Sequence, residues 1–203
     1  MSLLARIFLL DDEKEVTEAL VWLLESVNIS CKAFQSPDAF IEAVQMATDP
    51  VCGVVDLRMP KVSGLEVQQR LLSMGLDVPI VFLSAHGDVP AAVTAIRHGA
   101  MDFLQKPFNP QEFLDVSNRL LREAQDRFSQ NAHRAHVQHL LGLLSAREAE
   151  VLEALLKGYT SKEAARLLEL SPKTVDVHRA NILRKMQIKT VPELMRKLKD
   201  HLH

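Results

Sequence analysis

Asp56 sits in the stretch VVDLRMPKVSG (54–64), where an apolar run carries one acid and then breaks at Pro60 and Gly64. A carboxylate at the end of a buried strand is costly unless something compensates it. Candidate partners end other short apolar runs. Asp11 and Asp12 follow RIFLL (6–10), Ser84 follows PIVFL (79–83), and Lys106 follows DFLQ (102–105), just before Pro107. Three clustered carboxylates repel one another unless a cation joins them. Oxygen ligands with open positions suit Mg²⁺. An ammonium opposite suits a phosphoryl group, whose spread charge a divalent cation and a lysine stabilise together. An aspartate can also be the nucleophile and become an aspartyl-phosphate, with Ser84 bonding a phosphoryl oxygen.

These groups meet only if the runs lie side by side. Two further runs, SCKAF (30–34) and VCGVV (51–55), make five, with helical patterns between them. In EVTEALVWLLESV, Val16, Leu20, Leu23, Leu24 and Val27 share a stripe at helical spacing. Ser36 and Ser63 are cap candidates for the next two helices. Strand–helix alternation predicts a parallel sheet with helices on both faces. Ligands bind such sheets beyond the carboxyl ends of the strands, where all of these polar residues fall.

The chain has 203 residues, 47% hydrophobic and 25% charged, as soluble globular proteins do. No apolar run approaches the roughly 20 residues of a membrane helix, and the start reads as no signal peptide. Cys31 and Cys52 make no disulfide framework or zinc site and point to a reducing cytosol. Residues 1–124 carry ten cations and seventeen acids, net −7; residues 145–203 carry twelve and eight, net +4. An acidic front and a basic back suggest two domains with different partners.

LLDD (9–12), VVDLRMP (54–60), GLEV (64–67), PIVFLSAHGD (79–88) and GAMDFLQKPF (99–108) resemble, in order and over 5–121, the receiver domain of two-component response regulators. The resemblance implies Asp56 as phosphoacceptor. Asp11, Asp12, Asp56 and the backbone carbonyl of Arg58 would hold Mg²⁺, and Ser84 and Lys106 would contact the phosphoryl group. Phe103 takes the place of a switch aromatic, often tyrosine in the family. It also implies a cis Lys106–Pro107 bond and a place for His86 and Arg58 in tuning acyl-phosphate lifetime. A phosphatase with a nucleophilic aspartate typically carries a second aspartate two residues on, where this chain has Arg58. No Gly-rich phosphate loop follows the first run, which disfavours nucleotide binding.

Asn109, Pro110 and Glu112 read as the start of a helix. Gln111–Leu141 has no Gly or Pro, and its apolar stripe gives way after Leu121 to a face polar all round, as in helices that bridge domains. A continuous helix would span about 46 Å. His133, His136 and His139 recur every third residue, a spacing that drifts around a helix and disfavours a metal site. Residues 122–141 are therefore read as a helical linker.

Helix starts punctuate the rest: SARE (145–148), TSKE (160–163) and TVPE (190–193) are capping boxes, and Ser171–Pro172 is a cap followed by a first-turn proline. Four helices follow, about 146–157, 161–168, 172–186 and 191–201. Val151, Leu152, Leu155, Ala164, Leu167, Leu168, Val175, Ile182, Met186 and Leu194 fill one core. The short turn LELS makes the second and third a helix-turn-helix, whose second helix enters the major groove. At 100° per residue, Lys173, Val177, Ala180 and Arg184 face outward, flanked by Thr174, Asp176 and Asn181, a mixture suited to reading bases. Lys162, Lys185 and Lys189 are placed to reach phosphate.

LSAREAEVLEALLKGYTSKEAARLLELSPKTVDVHRANILRKM looks like a LuxR-type DNA-binding domain, and TVDVHRANI is similar to the FixJ branch, which shares the acidic Asp176. The expected architecture is α/β: a five-stranded doubly wound parallel sheet, flavodoxin-like (5–121), then a smaller all-α four-helix helix-turn-helix domain (142–203). The expected function is that of a cytoplasmic bacterial transcription regulator rather than an enzyme. The resemblance implies that a sensor histidine kinase phosphorylates it on Asp56. It would then dimerise, bind promoter DNA and activate transcription through RNA polymerase, the expected output in this family. A phosphorylation-regulated interaction module without DNA binding, or a DNA binder with a vestigial receiver, are the alternatives.

Overall fold

The computed structural model describes residues 4–84 and 89–199. It divides into two units, Met1–Ser129 and Gln130–His203. In the first, the five apolar runs are strands: β1 (Arg6–Leu10), β2 (Cys31–Phe34), β3 (Val51–Asp56), β4 (Ile80–Ser84) and β5 (Asp102–Gln105). Every neighbouring pair is parallel, in the order β2-β1-β3-β4-β5. β3 and β4 are buried along their whole length, which is why they read as unbroken apolar runs. Between the strands run α1 (Lys14–Ser26), α2 (Pro37–Gln45), α3 (Gly64–Ser73) and α4 (Val89–Arg97), and α5 (Pro110–Gly142) follows β5. This is the expected doubly wound α/β sheet.

Alternation along the strands builds two cores. Ile7, Leu9, Cys52, Val54, Val81, Leu83 and Leu104 pack with Leu20 and Leu24 of α1 and Phe113 and Leu120 of α5. Phe8, Leu10, Val55, Ile80 and Phe82 pack on the other side with Phe40 of α2 and Val67 and Leu71 of α3. Ser36 and Ser63 cap α2 and α3 through the amides of Ala39 and Glu66. The α1 stripe ends sooner than expected. Val27 is 45% exposed because α1 stops at it and the chain turns at Asn28, φ +58°.

In the second unit α6 (Ala146–Leu156), α7 (Ser161–Leu167), α8 (Pro172–Lys185) and α9 (Val191–Lys199) follow the predicted starts. Ser145/Glu148 and Thr160/Glu163 form reciprocal capping boxes, and Ser171 caps α8 with Pro172 at its first position. Val151, Leu152, Leu155, Ala164, Val175, Ile182, Met186 and Leu194 are buried together. Leu167 is the exception at 58% exposed. The short α7 buries Ala164 and Ala165 and, a turn on, packs Leu168, so the adjacent Leu167 is rotated off that face.

The polar connector is narrower than its sequence suggests. Ala124 is buried in the first unit's core, and Arg127 pairs with Asp77 and Glu123 there. Val137 and Leu140, at 0% and 2% exposed, belong to the second unit's core. These two residues escape a reading based on average polarity because two apolar side chains three apart suffice to dock one turn of helix.

Candidate phosphoacceptor and DNA-binding sites

Strand alternation, carried past the strand ends, assembles the first site. Asp11 lies two residues beyond Leu9, Asp56 two beyond Val54 and Lys106 two beyond Leu104, all members of one core row. The strand order switches between β1 and β3, because the chain leaves β1 for β2 on one side and returns to β3 on the other. The crevice of an open sheet forms at such a switch.

There the Lys106 Nζ donates to Asp11 Oδ2 at 2.7 Å and to Asp56 Oδ1 at 2.6 Å. The second oxygen of Asp56 accepts the Arg58 N–H at 2.8 Å, and that of Asp11 accepts the Glu13 N–H at 3.0 Å. Asp56 is 7% exposed and Asp11 2%. The cost of burying Asp56 is thus offset by an ammonium and a backbone amide. Burial pushes its carboxyl up, and the Lys106 hydrogen bond and charge pull it back. The Asp11 charge pushes it up again, and the net position lies above the ordinary aspartate range. Burial works against the charge of Lys106, but its bonds to Asp11 and Asp56 outweigh that and hold it above the ordinary lysine range.

The other expected residues are placed as follows. Ser84 is buried at the end of β4, and its carbonyl accepts the Lys106 N–H at 2.7 Å. Phe103 lies on the edge strand, 39% exposed. The Lys106–Pro107 bond is cis. His86 lies outside the described residues. Asp12 is exposed, and among the described residues no three His, Cys, Asp or Glu side chains gather as a metal site. Asp11 and Asp56 converge on Lys106, and Asp12 follows Asp11 directly in the chain. Their donors are hard oxygens, and Mg²⁺ takes one or two protein carboxylates while keeping several waters, so Asp11 and Asp56 fit it without a third.

Gly64 belongs to the site and escaped the sequence reading as a functional position. A Cβ there would lie 2.4 Å from the Asp56 carbonyl oxygen and 2.9 Å from the Phe82 ring. The available signal was a glycine opening a helix directly after its cap, Ser63, a place where other residues serve as well unless space is short.

The second site lies on α8. Lys173, Asp176, Val177, Ala180 and Arg184 are exposed, Thr174 and Asn181 half-buried, and Val175, Ile182 and Met186 fully buried, as the projection requires. Lys162, in the first turn of α7, and Lys189 are exposed. Lys185 departs from its expected place. Its Nζ donates to Glu148 Oε2 at 2.6 Å and to the Leu143 carbonyl at 3.0 Å, so its charge is taken up inside the unit. Glu148 is the residue the sequence did not mark for this. As the acid of a capping box it already had a role, and nothing in local spacing shows a partner 37 residues away.

The response regulator receiver domain model matches residues 7–118, and the model for bacterial regulatory proteins of the luxR family matches 142–198. The response regulator protein TodT of Pseudomonas putida is 40% identical over 97% of this chain and 87% of its own. The transcriptional regulatory protein FixJ of Azorhizobium caulinodans is 38% identical over 94% and 90%. The solved structure of the response regulator StyR superposes with a TM-score of 0.81 at 33% identity, covering 97% of this chain and 98% of that one. With a family model on each unit and relatives matched along nearly the whole length, the chain belongs to the response regulators, as a FixJ-like member with a receiver domain and a LuxR-type DNA-binding domain.

Proposed function

We propose that the chain receives a phosphoryl group on Asp56 from the phosphohistidine of a sensor kinase and answers by binding promoter DNA. The reading rests on one observation: a buried carboxylate at the end of β3 held by the same ammonium as Asp11. An Asp56 oxygen attacks phosphorus, the new O–P bond replaces the P–N bond, and the imidazole leaves as the neutral base once it takes up a proton. Lys106 offsets the charge on the transferring oxygens, and Ser84 donates its hydroxyl to one of them. Asp11, Asp56 and the carbonyl of Arg58 are the groups that would hold Mg²⁺, with Asp12 beside them. That ion would supply shielding between carboxylate and phosphoryl oxygens.

Conversion of the Asp56 carboxylate to an acyl phosphate removes the charge that Lys106 holds, so Lys106 and Ser84 regroup around the phosphoryl oxygens and Phe103 changes its place on β5. A receiver with two arrangements is biased by this local change. In our reading two phosphorylated copies pair and present two α8 helices to successive half-sites. Lys173, Thr174, Asp176, Val177, Ala180, Asn181 and Arg184 face the bases, and Lys162 faces phosphate. The output is transcription, activated through RNA polymerase. The chain acts in the cytoplasm as a regulator, not as an enzyme turning over metabolites. No helix among the described residues is long and apolar enough to cross a membrane.

Labelling tests the phosphoacceptor. Acetyl phosphate with Mg²⁺ should add one phosphoryl group to the wild-type chain, in the peptide holding Asp56, and none to Asp56→Asn. A variant labelled like the wild type places the acceptor elsewhere.

A further inference from the structure

Lys185 lies next to Arg184, yet its ammonium does not share the outward face of α8. Its side chain is 26% exposed and that of Glu148 is 6% exposed. Glu148 Oε2 accepts from Lys185 at 2.6 Å and from the Ser145 backbone N–H at 2.8 Å. Lys185 also donates to the carbonyl of Leu143, one residue past the end of α5. One carboxylate oxygen and one ammonium therefore join the end of α5, the start of α6 and the last turn of α8. The opposite end of α8 is fixed separately by Ser171, whose hydroxyl meets the Thr174 amide at 3.0 Å and its hydroxyl at 2.7 Å.

We infer that Lys185 and Glu148 are a positioning pair that sets the pose in which α8 presents its base-reading face, and that Lys185 is not a phosphate contact. The inference rests on the DNA-binding reading above. An ammonium already bonded to a carboxylate and a carbonyl has little charge left to displace counterions from DNA. Removing Lys185 leaves the buried Glu148 charge without its cation, and removing Glu148 leaves Lys185 with the Leu143 carbonyl alone; either way α8 loses the ion pair that anchors the end carrying Arg184. Base contacts need side chains held to a fraction of an ångström, whereas contacts to phosphate tolerate a looser helix. The pair therefore bears on sequence discrimination more than on total charge attraction. Glu148 Oε2 also links this anchor to the α6 cap, so the two members act as one unit and their losses do not add.

The test uses the full chain, phosphorylated with acetyl phosphate and Mg²⁺, and two fluorescent duplexes: one enriched from a random-sequence pool by the phosphorylated wild-type chain, and one scrambled from it. Lys185→Met and Glu148→Gln should each weaken the enriched duplex by about tenfold and leave the scrambled duplex unchanged. The double variant should be no weaker than the worse single one. The salt slope for both duplexes should stay at the wild-type value. Lys185→Arg, which keeps a donor for both partners, should restore binding, and thermal melts read by circular dichroism verify that each variant is folded. If Lys185→Met instead lowers the salt slope by about 0.9, the loss of one phosphate contact, the inference is wrong. It is equally wrong if Glu148→Gln binds as wild type, or if folded variants lose both duplexes alike. A phosphorylated wild-type chain that enriches no sequence from the pool overturns the DNA-binding reading itself. Wild-type binding with unaltered variants overturns this inference alone.

Discussion

At the scale of single residues, the candidate site is a problem in burying charge. Asp56 tolerates its position because Lys106 and the Arg58 amide reach it. The sequence showed the ends of the strands and the residue types found there. It did not show that Asp12 is exposed while Asp11 is buried, because adjacent residues differ only in which side of the chain they leave. It was also silent on space. Gly64→Ala drives a methyl against the Asp56 carbonyl oxygen, so we expect destabilisation of about 1–3 kcal/mol and slower labelling by acetyl phosphate. Urea unfolding and the labelling time course measure the two, and a variant equal to wild type in both would place slack where the structure has none. Glu148 gives a pH prediction. Lys185 first, then the Ser145 amide, holds its carboxyl below the ordinary glutamate range. A carboxylate favoured in the folded state contributes stability above the unfolded value of about 4.3 and loses it as pH falls through the lower folded value. The second unit should therefore weaken as pH drops from about 5 to 3. Glu148→Gln should be less stable at neutral pH and flatter across that window. Tyr159, the sole tyrosine, reports the unfolding, and equal slopes would remove Glu148 as the cause.

At the scale of elements, boundaries were legible where capping chemistry marks them. The starts of α6, α7 and α8 fall at their predicted caps because Ser145, Thr160 and Ser171 each accept an amide three residues on. Central strands were legible as apolar runs because both of their faces are covered. Two failures, Val27 and Leu167, sit at helix ends, where a stripe assumed to continue meets a turn. The linker misled for a different reason. Its composition is polar on average, yet Val137 and Leu140 are held in a core that only tertiary structure creates. The outward face of α8 was recoverable from helical geometry alone, and it carries a prediction. Alanine at Lys173 and at Arg184 should each weaken binding to the enriched duplex. A residue that contacts phosphate lowers the salt slope by about 0.9, whereas one that reads a base relaxes specificity at its position. Salt titrations of both variants decide between these, and no change in either quantity would reject the face.

At the scale of the whole molecule, the sequence divides its charge as it divides its work. The acidic first unit gathers acids and one lysine at the mouth of a sheet, and the basic second unit carries the helix-turn-helix. Their matches to receiver and luxR-family models cover 7–118 and 142–198, in agreement with the family resemblance that the motifs carried without knowledge of any contact. Contacts outside the site at the sheet mouth that join residues distant in sequence were not legible: Arg127 with Asp77, Lys185 with Glu148. The central claim is that phosphorylation of Asp56 governs DNA binding. The most direct measurement is the affinity of wild type and Asp56→Asn for the enriched duplex, each with and without acetyl phosphate and Mg²⁺. The account predicts that acetyl phosphate tightens wild-type binding and leaves Asp56→Asn unchanged. Equal tightening of both proteins, or none in a wild-type chain shown to be phosphorylated, would contradict it.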